Sequence, residues 1–331
     1  MNNINDKMGD EIKPRLIIWQ ITPEEEEKVN GYSPLDLHES LLILDSIART
    51  AKPIIVLKGS SIIKRDDISE IVEYGYDLEL KMIIEIQPQD LNQNLINNFQ
   101  KYGSRIFRLN IDGYINEDIE NRFKQTSEFL ILENAIELLK ANNLEVHLSI
   151  LINKLDQRSL AYNLDYAYSR GAKGLYFYLR RNSRQIQMIN PWNNTDDFLQ
   201  NIPCMKEMIP CNMYFSPQCV KYTNGSPPQG TVELEAKHGA LHWMPVCLAG
   251  KTYCYISADG KIQFCPGMKV IVGDLRECHY DFKSFWLSSE VFNAVRVKNR
   301  SCSETRIFIK KMKSLEKYNQ IFIKEKIGDM Q

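Results

Sequence analysis

Across the first 180 residues of this 331-residue chain, short β-prone runs alternate with amphipathic helical segments. The β-prone runs fall at residues 15–21 (RLIIWQI), 53–57 (PIIVL), 80–86 (LKMIIEI), 105–111 (RIFRLNI), 145–152 (EVHLSILI) and 173–179 (KGLYFYL). Between them lie helical segments at 35–48, 68–76, 91–102, 126–142 and 159–170. The first carries Leu37, Leu41, Leu42, Leu44 and Ile47, and the fourth Leu130, Leu132, Ala135, Ile136 and Leu139. Spacings of three and four place such residues on one helix face. Six βα units in succession imply an α/β fold with a parallel sheet and right-handed crossovers. Periodicity leaves two architectures open, a partial barrel and an open doubly wound sheet. No Gly-x-Gly-x-x-Gly follows the first strand, so a dinucleotide-binding sheet has little support. In either architecture the functional face lies at the strands' C-terminal ends, here residues 22–33, 58–65, 87–89, 112–114 and 153–154.

Residues 181–246 change character, becoming rich in Asn, Pro, Gln and Met, and read as a bridging region. The expected organisation is a tail (1–14), a barrel-like domain (15–180), the bridge (181–246), a cysteine-containing domain (247–306) and a C-terminal helix (307–331). A net charge of −1 gives no global field for nucleic acid or an anionic membrane. The lysines of the C-terminal helix are interrupted by Glu316 and Glu325, as on a solvated face. The N-terminus has no apolar core of a signal peptide, and no run approaches a membrane span. A cytoplasmic protein is expected, one that binds neither nucleic acid nor membrane.

In that compartment thiols stay reduced, so clustered cysteines point to metal or redox chemistry rather than disulfides. The clustering is extreme. Residues 1–203 hold no cysteine, whereas Cys204, Cys211, Cys219, Cys247, Cys254, Cys265, Cys278 and Cys302 follow. Within CLAGKTYCYISADGKIQFC, two β-prone runs flank Ala258-Asp259-Gly260, the signature of a hairpin. Cys254 precedes it and Cys265 closes it, an arrangement expected to bring the two thiols together for iron or zinc.

The spacing Cys247, twelve residues, Gly260, four residues, Cys265 resembles the opening of the SPASM extension of radical SAM enzymes. Val272-Gly273-Asp274-Leu275, residues 282–286 and SEVFNAVR look like its continuation. CLAGKTYCYIS, with Ser216-Pro217-Gln218 upstream, is similar to the branch acting in haem and haem-d1 biosynthesis and related cofactor maturation. Trp19-Gln20-Ile21-Thr22 resembles the end of that family's first barrel strand, and LNIDG, ENAIELLKANNLEV and RGAKGLYFY fall in family order. The resemblance covers residues 15–306 and implies a partial (β/α)6 TIM-like barrel with a small SPASM-like C-terminal domain.

Departures from the family pattern shape the functional expectation. The family's Cys-x3-Cys-x2-Cys triad should follow Thr22, at positions occupied here by Glu25, Val29 and Tyr32. None supplies a thiolate, and carboxylates are hard ligands poorly matched to an iron–sulfur cluster. The family's Gly-Gly-Glu-Pro, which seats S-adenosylmethionine, becomes Gly59, Ser60, Ser61 and Ile62. Both losses imply that S-adenosylmethionine is not reductively cleaved. The later cysteines are also thinned, leaving Cys302 before Ser303, Glu304 and Thr305. The resemblance thus implies at most one auxiliary [4Fe–4S] cluster, on Cys247, Cys254, Cys265 and Cys302, with Cys278 a weaker fourth ligand.

Other residues have both functional and plain readings. Cys219, like Cys204 and Cys211, is either functional or a buried thiol. His238 and His242 could pair on a metal or make ordinary polar contacts. Glu24–Glu27 could hold a cation or form a solvated acidic loop. Glu85 could be catalytic, while Arg108, Arg180 and Arg181 could bind an anion such as a carboxylated tetrapyrrole or a peptide, or form rim salt bridges. The expected function is a degenerate radical SAM/SPASM-like protein that binds a substrate, precursor peptide or partner enzyme in cofactor or modified-peptide biosynthesis. An active radical enzyme with a non-standard cluster and a zinc-stabilised scaffold are the alternatives.

Overall fold

A computed structural model of the chain describes residues 13–23, 33–59, 62–103, 106–112, 114, 126–152, 163, 166–167, 169–179, 212–216, 220–222, 231–234, 242–245, 249–266, 268–298, 304–305 and 307–312. The first half follows the expected alternation. It runs β1 (Leu16–Gln20), α1 (Leu37–Thr50), β2 (Ile54–Lys58), α2 (Ile68–Asp77), β3 (Lys81–Ile86), α3 (Gln93–Lys101), β4 (Ile106–Asn110), α4 (Ser127–Ala141), β5 (Glu145–Ile152) and β6 (Gly174–Leu179). These strands pair in sequence order, all parallel. Sequential order with right-handed crossovers places every helix on one face and curls the sheet around the other. The result is a partial barrel, which resolves the choice that periodicity left open.

The sheet extends beyond six strands. β7 (Asn212–Ser216), in the bridging region, adds parallel to β6, and β8 (Val220–Tyr222) closes that side antiparallel. β9 (Thr231–Leu234) and β10 (His242–Pro245) form a separate pair. On the opposite side, β11 (Tyr253–Ile256) pairs parallel with β1, followed by antiparallel β12 (Lys261–Cys265) and β13 (Met268–Asp274). The cysteine hairpin therefore continues the barrel's own sheet. Two short helices, α5 (Phe282–Ser288) and α6 (Glu290–Arg296), pack behind it.

Local chemistry explains the helix boundaries. Asp36 caps α1 and exchanges hydrogen bonds with Glu39 in a capping box, and Thr126 caps α4. Two helix faces differ by one residue from expectation. Leu42 and Leu130 are exposed, while Ile43 and Phe129 are buried in their stead. The 100° advance per residue centres the buried stripes on Ile43, Leu44 and Ile47 and on Phe129, Leu132, Ile136 and Leu139.

The helix-covered face of the sheet is apolar throughout. Ile17, Trp19, Ile55, Leu57, Ile84, Phe107, Leu109 and Leu148 are fully buried there. At about 25 cal/mol per Å² of apolar surface removed from water, this layer is the main source of stability.

Candidate functional site: the inner face of the barrel

Parallel ladders place register partners on the same side of a sheet, and alternate residues on opposite sides. The residues between the apolar positions therefore face the barrel interior. Gln20 pairs with Lys58, Glu85 with Arg108, and Arg108 with His147. One step toward the C-terminal ends, Asn110 pairs with Ser149 and Ser149 with Tyr176. A barrel interior is ordinarily filled by branched apolar side chains. Here it carries two polar rows.

The lower row is linked from strand to strand. Tyr255 on β11 donates its hydroxyl to Gln20 Oε1. Lys58 Nζ stands 3.7 Å from Glu85 Oε1, and Arg108 Nη1 stands 3.4 Å from Glu85 Oε2. The Arg108 guanidinium lies 3.5 Å over the ring of Tyr176. Tyr176 Oη and His147 Nδ1 are 3.1 Å apart, and His147 Nε2 is 3.1 Å from Glu145 Oε2. Burial holds His147 below its ordinary range, so it is neutral near pH 7. Nε2–H then donates to the Glu145 carboxylate, and Nδ1 accepts from the Tyr176 hydroxyl. Glycine at 174 makes this stack possible, because a Cβ there would sit 2.7 Å from His147 Nδ1.

Two hydroxyls on the inner face, Thr22 Oγ1 and Ser149 Oγ, are buried without a hydrogen-bond partner among the described residues. Such groups are rare in native proteins, because each forfeits its bonds to water. Thr22 stands at the barrel mouth beside Gly59. A Cβ on Gly59 would come within 1.9 Å of Thr22 Oγ1, so the chain's own packing already requires glycine there.

The candidate residues meet this geometry unevenly. Glu85 and Arg108 come together as an ion pair buried on the inner face, a salt bridge as in the plain reading of Arg108 but within the barrel rather than at its rim. Glu24–Glu27, Glu25, Val29, Tyr32, Ser60, Ser61, Arg180, Arg181, Cys204, Cys211, Cys219, His238, Cys247 and Cys302 lie outside the described residues, as does the side chain of His242. Residues 1–203 contain no thiol, so the loop after β1 supplies none of its own.

The hairpin register places the side chains of Cys254 and Cys265 on opposite faces of the sheet. The ladder pairs Tyr255 with Gln263 and Ile256 with Ile262, so Cys254 falls opposite Phe264. The bulges between β12 and β13 leave this pairing intact. Cys254 therefore shares the helix-covered face with Phe264, whose ring is 5.0 Å from Phe292. Cys265 shares the inner face with Gln263 and Tyr255. Burial raises the Cys254 thiol far above the usual thiol range. Cys278 lies in the turn four residues beyond Asp274, the partner of Lys261 at the far end of β12. Of the four-cysteine set, only Cys254 and Cys265 lie among the described residues. Among the described residues no group of three or more His, Cys, Asp or Glu could hold a metal ion.

Sequence reasoning missed the connected row of Tyr255, Gln20, His147 and Tyr176. Its signal was present in the polar residues at alternate positions of β4 and β5, but their alignment depends on register. It also missed the clasp beside the mouth, where Arg276 donates to Glu39 at 2.7 and 2.8 Å and to the carbonyls of Ser33 and Pro34.

No family model matches the chain. Over 302 residues it is 24% identical to an AdoMet-dependent heme synthase of Methanosarcina barkeri (strain Fusaro / DSM 804), covering 86% of this chain and 85% of that protein. Its fold is similar to that of Streptococcus suis SuiB bound to S-adenosylmethionine, with a TM-score of 0.59 and 11% identity over 89% of this chain and 68% of that one. SuiB bound to its precursor peptide SuiA gives a TM-score of 0.58 and 10% identity over 89% and 69%. Among the described residues no helix is long and apolar enough to cross a membrane. By sequence along most of its length, and by fold, the chain is a relative of the radical SAM/SPASM proteins.

Proposed function

We propose that this chain is a radical-SAM-type barrel that no longer cleaves S-adenosylmethionine and instead binds a substrate, precursor peptide or partner enzyme in cofactor or modified-peptide biosynthesis. One observation carries the reading: the first 203 residues contain no cysteine, so the barrel mouth has no thiolate with which to hold a cluster. The inner face supports a binding role. Its polar rows and the Ser149 and Thr22 hydroxyls, unpartnered among the described residues, suit a ligand more than a packed core. The haem synthase relationship and the peptide-bound SuiB structure motivate the two substrate classes.

The reading allows at most one inorganic centre, anchored by Cys265 on the inner face together with Cys247 and Cys302. Incubation with S-adenosylmethionine and dithionite under anaerobic conditions tests the proposal. No 5′-deoxyadenosine should form beside an active radical SAM control. Turnover above background would overturn it.

A further inference from the structure

Two arginine forks meet on the first turn of α1. Arg65, which follows β2, binds both oxygens of Asp67 at 2.6 and 3.0 Å. With its fork oriented in that way, it donates to the Ile21 carbonyl at 3.0 Å and to the Ser40 hydroxyl at 3.1 Å. Arg276, in the turn after β13, binds both oxygens of Glu39 at 2.7 and 2.8 Å. It also donates to the carbonyls of Ser33 and Pro34 at 2.9 and 3.1 Å. The connection between β1 and α1 leaves at Ile21 and returns at Ser33, so one fork grips its start and the other its end.

The two forks are joined through the helix terminus. The fully buried Ser40 hydroxyl accepts from Arg65 and donates to the Asp36 carbonyl at 2.7 Å. The Asp36 N–H donates to Glu39 Oε2 at 2.9 Å, and the Glu39 N–H donates to Asp36 Oδ1 at 2.8 Å. An unbroken series of hydrogen bonds therefore runs from Ile21 through Arg65, Ser40, Asp36 and Glu39 to Arg276. Helix ends fray unless their first N–H groups are capped. Here the capping carboxylate of Glu39 is also the acceptor for Arg276 and for the Tyr280 hydroxyl. His279 and Tyr280 sit at φ of +51° and +59°, a conformation that costs a non-glycine residue energy and that surrounding contacts must hold.

We propose that the first turn of α1 is a coupling element: the mouth end of β1 and the turn that follows the cysteine hairpin order together, through Arg65 and Arg276. Release of Arg276 frees Glu39, the capping box opens, and Asp36 shifts away from Ser40. Arg65 then loses the hydroxyl that helps to hold it on Ile21. The same steps run in reverse from Arg65. This coupling goes beyond the loss of SAM cleavage and stands whether or not 5′-deoxyadenosine forms.

Hydrogen–deuterium exchange of the full chain tests it at two amides. Ile21 N–H is bonded to the Lys58 carbonyl at 2.7 Å, and Leu35 N–H to the Ala258 carbonyl at 2.7 Å. Arg276→Met should speed exchange about tenfold at Leu35 and about threefold or more at Ile21. Arg65→Met should speed both, with the larger effect at Ile21. Two further variants separate coupling from a general loss of stability. Arg170→Met removes a comparable ion pair, 2.7 Å from Glu133 on α4, and should leave both amides unchanged. Ser40→Ala cuts the series at its centre without removing a charge, and in that background Arg276→Met should no longer reach Ile21. Unchanged exchange at Ile21 in Arg276→Met, equal acceleration in Arg170→Met, or persistence of the remote effect in the Ser40→Ala background would overturn the proposal.

Discussion

The two faces of the one sheet that runs from β13 to β8 differ sharply in chemistry. Behind the strands, Ile17, Trp19, Leu57, Ile84 and Phe107 make a dry layer against the helices. Before them, Gln20, Lys58, Glu85, Arg108, His147 and Tyr176 make connected polar rows. The same backbone carries both, and side-chain parity decides which face a residue enters. The contrast reaches the cysteine hairpin. Cys254 belongs to the dry face, beneath an aromatic group in which Trp286 and Phe292 lie 5.2 Å apart, while Cys265 belongs to the inner face. A residue's face is therefore a better guide to its role than its place in a motif.

The sharpest way to break this contrast is to separate the two thiols. After anaerobic reconstitution, Cys265→Ala should lose all bound iron or zinc, whereas Cys254→Ala should retain it. Metal and sulfide analysis of both variants reads the outcome, and loss of metal in Cys254→Ala would return that thiol to the ligand set.

The inner face makes a second demand, because a buried charge pair tolerates loss of one member badly. Glu85→Ala leaves Arg108 and Lys58 facing each other and should cost about 3–5 kcal/mol in chemical denaturation. A cost under about 1 kcal/mol, the range of exposed pairs, would show that the row is solvated.

At the mouth, Gly59→Ala forces a Cβ onto Thr22 and should cost about 1–3 kcal/mol. Adding Thr22→Ala should recover a good part of that loss. A purely additive double mutant would show that the two residues do not touch.

The smallest effect concerns the clasp that joins the hairpin region to α1. Arg276→Ala should cost about 1–2 kcal/mol at neutral pH. Hydrogen bonds from Arg276 hold Glu39 down from 4.5 to about 2. A carboxylate depressed in the folded state contributes stability above its unfolded value and loses it as pH falls through the folded one. The difference in melting temperature between wild type and Arg276→Ala should therefore be constant above about pH 5 and shrink between 4.5 and 2. An unchanged difference at pH 2 would assign the effect to packing.

Much of the architecture was legible before the structure. The six expected barrel strands match β1 to β6 within two residues at each end, because a parallel strand buried on one face and packed between amphipathic helices leaves a strong local signal. The hairpin tip was equally plain. Gly260 has a φ of +82°, and a Cβ there would meet Leu35 Cδ2 at 3.0 Å. Glu85 and Arg108 stood out as charged residues inside strands. Their partnership did not, since contacts between strands depend on registers that the local pattern leaves open. The same limit explains the hairpin thiols: ten residues separate Cys254 from Cys265, and the ladder rather than that spacing decides whether they share a face.

By itself, then, the sequence determined the βα alternation, the relationship to the radical SAM/SPASM proteins, and the absence of any thiol before Cys204. These are properties of residue identity and local periodicity, and they need no knowledge of what lies across the fold. Only the tertiary structure decided that β11 would pair with β1, that Cys254 and Cys265 would face opposite ways, and that Lys58, Glu85, Arg108, His147 and Tyr176 would meet inside one barrel. Those outcomes depend on strand register, which is set by the combined burial of many apolar side chains across the sheet rather than by any one segment.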